Sequence, residues 1–232
     1  MKLLFGPILR AFDTLTKEGF SQVDDPKNIV FLEADTKKKC PKVLMQSATT
    51  RPEDNFKQLR KLLLTLMGNR EIPQLSHAVT SFLWFLNWNA SDFNVLYNHP
   101  ALWSPESSGR FAIQAQAYIR KNYYEIHYDM EQMVRTEPTF VEFEGWQNRL
   151  NKDLKLFLQE SLKHKTKNYE SNLIGLIEFQ RDAHVHYNDK GHSNIEDYQT
   201  NAQLEKMFVK LFPNILSAGY CFMLTFKFRF EE

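Results

Sequence analysis

The stretch KHKTKNYESNLIGLIEFQRDAHVHYND, residues 163–189, decides the reading. Leu173, Ile174, Leu176 and Ile177 recur at helical spacing, and Arg181, Asp182, His184 and His186 follow them. The pattern predicts a helix over 170–187 whose C-terminal end gathers ionisable groups. Tyr169 stands upstream, just after a basic cluster of Lys163, His164, Lys165 and Lys167. An unperturbed histidine titrates at about 6.5, so near neutral pH it can give or take a proton. With a tyrosine and an arginine it makes a kit for metal-free RNA cleavage. A base activates the 2′-hydroxyl, an acid protonates the leaving 5′-oxygen, and a cation holds the phosphate. Two other readings stay open on the residues alone. The lysines can be a solvated face, and His184, His186, Asp189 and His192 can form a metal site. The metal reading requires the helix to end first, because positions i and i+2 lie on different faces.

The rest of the chain bounds these choices. Its 232 residues correspond to one or two domains, and the length is enough for a sizeable core. With 43% hydrophobic residues, 8 Gly and 9 Pro, it is neither collagen-like nor low-complexity. The 19 Phe supply apolar surface that a disordered chain lacks. A net charge of +1 gives no global field toward nucleic acid or an anionic membrane, so any such binding must use a local patch. Cys40 and Cys221 form no CxxC or Cys/His zinc pattern, which fits a reducing compartment. The N-terminal MKLLFGPILRAF is broken by Gly6-Pro7 and lacks a small-residue cleavage site. The apolar stretch 215–226 is too short to span a bilayer. A soluble, cytoplasmic protein with no membrane partner is expected.

Apolar spacing predicts helices over 1–20, from Asp54 to Gly68, after Pro73, and over 92–96. Further helices are expected over 105–135, 140–163, 170–187 and 202–226. Ile29–Leu32 suits a short strand, while 33–53 and 188–200 read as loops. The chain is expected to be mainly α.

From His99 onward the residues resemble the kinase-extension nuclease (KEN) domain. That domain is shared by the unfolded-protein-response sensor kinase/endoribonuclease and ribonuclease L. The resemblance rests on four anchors, taken in order. They are His99-Pro100-Ala101-Leu102-Trp103-Ser104; Gly145-Trp146 with Leu150 and Leu154; Tyr169 with Arg181 to Tyr187; and Phe212-Pro213 with Leu216 and Tyr220. The resemblance implies that Arg181 contacts phosphate, that His186 is the general acid, and that Tyr169 is the general base or its partner. Lys163, Lys165 and Lys167 lie where the family has an RNA-facing element. Asp182 stands where the family usually carries Asn, and the resemblance places it with those lysines facing the RNA. Beside a phosphate it would repel; four residues before His186 it could instead pair with the imidazolium.

Upstream, the chain resembles a stripped kinase C-lobe. Phe12–Phe20 resembles the helix before the catalytic loop, and Asp25-Pro26-Lys27-Asn28-Ile29-Val30 a damaged version of that loop. Gln22-Val23-Asp24-Asp25 stands in place of an HRD-type sequence, and Asn89-Ala90-Ser91 in place of an Arg-Pro-Ser/Thr-Ala run. DFG, APE, the Gly-rich loop and the ATP-binding lysine have no counterpart, so kinase activity is not expected.

The expected architecture is a degenerate kinase C-lobe remnant over 1–103 packed with a KEN ribonuclease domain over 104–232. The resemblance implies an endoribonuclease that needs no metal or cofactor and leaves a 2′,3′-cyclic phosphate. It also implies stem-loop or single-stranded loop RNA as partner, and a homodimer or a heterodimer with another KEN protein. The alternative is an impaired pseudonuclease that regulates such a partner, for which Asp182 and the lost kinase motifs speak.

Overall fold

The structure, a computed structural model, describes residues 2–18, 21–22, 29–34, 38–43, 45–46, 52–66, 77–88, 93–163, 168–186, 200–228 and 230. The described residues are mainly helical and divide into two compact units, Met1–Trp103 and Ser104–Glu232.

In the first unit, α1 (Lys2–Lys17), α2 (Pro52–Leu66), α3 (His77–Trp88) and α4 (Phe93–Tyr97) bury one apolar stripe each. Ile8, Leu9, Phe12, Leu59, Leu63, Phe82 and Leu96 are all essentially sealed from solvent. Tyr97 donates to Asp13 at 3.1 Å, and Asp13 also pairs with Lys17 at 2.9 Å. Strand β1 (Ser21–Gln22) pairs antiparallel with β4 (Met45–Gln46), and β2 (Ile29–Ala34) with β3 (Lys38–Val43). The strand expected at Ile29–Leu32 is therefore present. The loop expected over 33–53 is not a loop throughout, because its lysine-rich part folds back on β2. Pro41 falls opposite Phe31 in the β2–β3 pair.

His99 closes the unit. Its Nδ1 accepts the Ala101 N–H at 3.2 Å, which caps a 3-10 turn over Pro100–Leu102, and its Nε2 lies 3.3 Å from the Ser81 hydroxyl. The rings of Phe82 and Phe85 meet it edge-on. This burial pushes the imidazole down to about 3. The ring is thus neutral, with its proton on Nε2 toward Ser81.

In the second unit, Ser104 caps α5 (Pro105–Lys121) by accepting the Ser107 N–H at 3.2 Å, with Pro105 in the first turn. Helices α6 (Tyr123–Thr136), α7 (Pro138–Val141), α8 (Lys152–Lys163), α9 (Leu173–His186), α10 (Asn201–Leu211) and α11 (Ile215–Thr225) follow. Helix α9 is the hub: residues from Leu173 to Ala183 are buried on nearly every side, and it packs against α5, α10 and α11.

Two expected helices are broken. The single helix expected over 140–163 is interrupted by Gly145, whose φ of 66° is left-handed, and by extended backbone at Leu150. The Asn151 side chain then restarts the chain as α8 by accepting the Leu154 N–H at 2.9 Å. The helix expected over 202–226 divides at Phe212-Pro213. Arg149 supports that corner: its guanidinium donates to the Leu211 carbonyl at 2.8 Å and lies over the Phe212 ring at 4.6 Å. Among the described residues no single helix is long and apolar enough to cross a membrane, and α10 and α11 meet at 89°.

Candidate functional site

The site is built around Trp146, which is completely buried. Its indole Nε1–H donates to the Glu170 carbonyl at 2.8 Å, and Gly145 N–H reaches the Ser171 hydroxyl at 3.0 Å. These bonds tie residues 169–171 to the turn before α8. Gly175 lets the same segment lie against α9, because a Cβ there would overlap the Glu170 backbone. Asn172 caps the helix by accepting the Gly175 N–H at 3.1 Å.

Held in this way, Tyr169 points onto α9. The residue is 5% exposed, its ring packed edge-on against Phe179 (5.4 Å) and Trp146 (6.2 Å). Its hydroxyl donates to Asp182 Oδ2 at 2.7 Å. Asp182 is also 5% exposed, and its other oxygen pairs with Arg181 Nη1 at 2.6 Å. Burial first, and Asp182 second, raise the phenol well above its ordinary range. The hydroxyl therefore stays protonated at neutral pH and is no phenolate base. Asp182, expected on the sequence to face RNA, is turned inward. It orients Tyr169 and Arg181.

The four polar residues at the end of α9 go different ways. The Arg181 side chain remains one-quarter exposed while anchored to Asp182. His184 is buried, with Nε2 at 2.9 Å from Glu205 Oε2. His186 is exposed, one turn beyond Asp182 on the same side of the helix. The two histidines of the His-x-His sequence thus face opposite surroundings. Arg181 and His186 are the accessible pair.

Lys163 is exposed at the end of α8 and pairs with Glu160 at 2.5 Å. Lys165 and Lys167, and Asp189 and His192 of the metal reading, lie outside the described residues. Among the described residues no group of three or more His, Cys, Asp or Glu side chains is disposed to hold a metal ion. Cys221 is a free thiol that burial pushes up to about 12, so little thiolate forms at neutral pH.

Gln180 and Glu205 were not singled out from sequence. Gln180 donates to Glu205 Oε2 at 3.0 Å, beside His184, and the three form a polar cluster inside the core. A polar residue at a core position of α9 was the available signal, but its partner lies 25 residues away.

No protein-family model matches the chain, and no curated protein matches it significantly.

Proposed function

We propose that the chain is a metal-independent endoribonuclease of the KEN type, joined to a degenerate kinase C-lobe remnant that has no kinase activity. One observation carries the reading. Tyr169, Asp182 and Arg181 are linked by contacts of 2.7 and 2.6 Å, beside an exposed His186 one turn on.

In the cleavage, the RNA 2′-oxygen attacks the adjacent phosphorus and the bond to the 5′-oxygen breaks. The Tyr169 oxygen takes the 2′ proton as its own proton moves to Asp182, which suits a phenol that does not ionise by itself. His186, as the acid, gives a proton to the departing 5′-oxygen. Arg181 holds the phosphoryl oxygens, where negative charge grows. The products are a 2′,3′-cyclic phosphate and a 5′-hydroxyl. Three protons move in all, and exchange with solvent after product release returns Asp182 and His186 to their starting forms.

The requirement for a 2′-hydroxyl makes RNA the substrate, in an unpaired loop where the backbone can reach in-line geometry. Lys163, Lys165 and Lys167, close in sequence to Tyr169, supply attraction to the backbone. The active form is a homodimer, or a heterodimer with another KEN-family protein, acting in the cytoplasm.

Incubation of the purified protein with end-labelled stem-loop RNA in EDTA tests the reading. Fragments ending in a cyclic phosphate, appearing faster than linearly with protein concentration, support it. Absence of cleavage across the concentrations that self-associate overturns it.

A further inference from the structure

We propose that Glu205 is a positioning residue for the cleavage site, acting through Gln180 and His184 on the far side of α9. The inference rests on the ribonuclease reading above.

Gln180 and His184 are one turn apart on α9, as are Asp182 and His186. At 3.6 residues per turn the second pair is rotated by about 200° from the first. Helix α9 is thereby held from both sides: Tyr169 grips Asp182 on one, and Glu205 of α10 grips Gln180 and His184 on the other. Gln180 and His184 share a single oxygen of Glu205, at 3.0 and 2.9 Å. The His184 and Glu205 side chains are 1% and 4% exposed.

The details make the cluster specific to one rotation of the helix. Among the described residues, His184 Nδ1 and Glu205 Oε1 are buried and have no hydrogen-bond partner. The geometry therefore assigns Nε2–H as donor to Glu205, since a proton on Nδ1 would find no acceptor. The imidazole ring stacks on Phe208 (6.3 Å between centroids). A Cβ at Gly109 of α5 would come to 3.0 Å from the same imidazole ring. A shift of one residue would turn α9 by about 100° and strand a carboxylate, an amide and an imidazole in the core. The same shift would take Asp182 away from Tyr169.

A buried carboxylate is a poor way to add stability, since apolar residues of equal volume commonly do as well or better. Its use here fits the fixing of a rotation. Glu205 thus sets where Arg181 and His186 emerge, without touching RNA.

The test compares wild type, Glu205→Ala, Glu205→Gln and a distant control, Gly6→Ala, each first shown folded by circular dichroism. Glu205→Ala is expected to lower single-turnover cleavage about 100-fold, the order expected for a misplaced acid. KM for RNA should change less than about threefold, because phosphate attraction remains. Glu205→Gln keeps an acceptor for one donor but not both, and should lower the rate by about tenfold, less than Glu205→Ala does. Full kcat in Glu205→Ala, with only a lower Tm, would overturn the proposal and leave Glu205 purely structural. If Glu205→Ala does not fold, failure of the folded Glu205→Gln to lower kcat measurably would overturn it in the same way. Histidine ring NMR separates this from the ribonuclease reading. Displaced His186 resonances in a Glu205 variant support positioning even if wild type cleaves nothing, and unchanged resonances refute it.

Discussion

The phenolic hydroxyl of Tyr169 donates to Oδ2 of Asp182 across 2.7 Å, and neither residue is more than 5% exposed. The bond spans 13 residues and joins the segment before α9 to the helix end that carries Arg181 and His186. Removing the hydroxyl with Tyr169→Phe leaves a buried carboxylate oxygen one donor short. The expected loss is about 1–3 kcal/mol, read by urea denaturation. Cleavage should fall about 100-fold or more, the usual contribution of a proton-transfer group. A variant that is destabilised but cleaves at the wild-type rate would confine Tyr169 to the scaffold.

Asp182→Asn keeps an acceptor for the Tyr169 hydroxyl but removes the charge that anchors Arg181 at 2.6 Å. An amide also cannot take the phenolic proton. The rate should drop at least tenfold, with KM for RNA little changed. A gain in rate would show that the aspartate impairs the natural protein, and would favour the pseudonuclease alternative.

His99 makes a pH-dependent contribution to stability in its own unit. Its folded value is pushed down to about 3 by burial, against an unfolded value of about 6.5. Between those limits the unfolded chain binds a proton that the native imidazole refuses, so stability rises with pH. The contribution is complete above about 6.5 and is lost as pH falls toward 3, amounting to several kcal/mol. Denaturation midpoints from pH 7 to 4 should fall more steeply for wild type than for His99→Gln. Parallel curves would sink the assignment.

Gly175→Ala forces a Cβ into the Glu170 backbone, which cannot move without displacing Tyr169. A loss of about 1–3 kcal/mol, or failure to fold, is expected. Gly6→Ala meets nothing within 4 Å outside its own chain neighbours, but Pro7 follows it and disfavours helical backbone in a residue that carries a Cβ, so a smaller loss than for Gly175→Ala is expected. A melt shifted as far by Gly6→Ala as by Gly175→Ala would contradict this reading of the glycines.

Much of the fold was legible where local pattern and burial agree. The run Leu173 to Ile177 reads as helix because its apolar spacing and its tertiary burial coincide. The break at Gly145 was harder, since nothing in the apolar pattern distinguishes a glycine in left-handed backbone from one inside a helix. Pro213 was a visible stop signal, but the apolar residues on both sides obscured it. The site was legible only along the chain: Arg181, Asp182 and His186 are neighbours in sequence. Glu205 was not legible, because it meets His184 across 21 residues through an interhelical contact that no periodicity encodes. The inward turn of Asp182 was equally hidden, being set by the position of Tyr169.

The decisive measurement is single-turnover cleavage of labelled stem-loop RNA in EDTA by wild type and His186→Ala. Wild type should leave cyclic-phosphate fragments, and the variant should be slower by about 100-fold or more. Equal rates in the two proteins, or cleavage only when a divalent ion is restored, would contradict the ribonuclease reading.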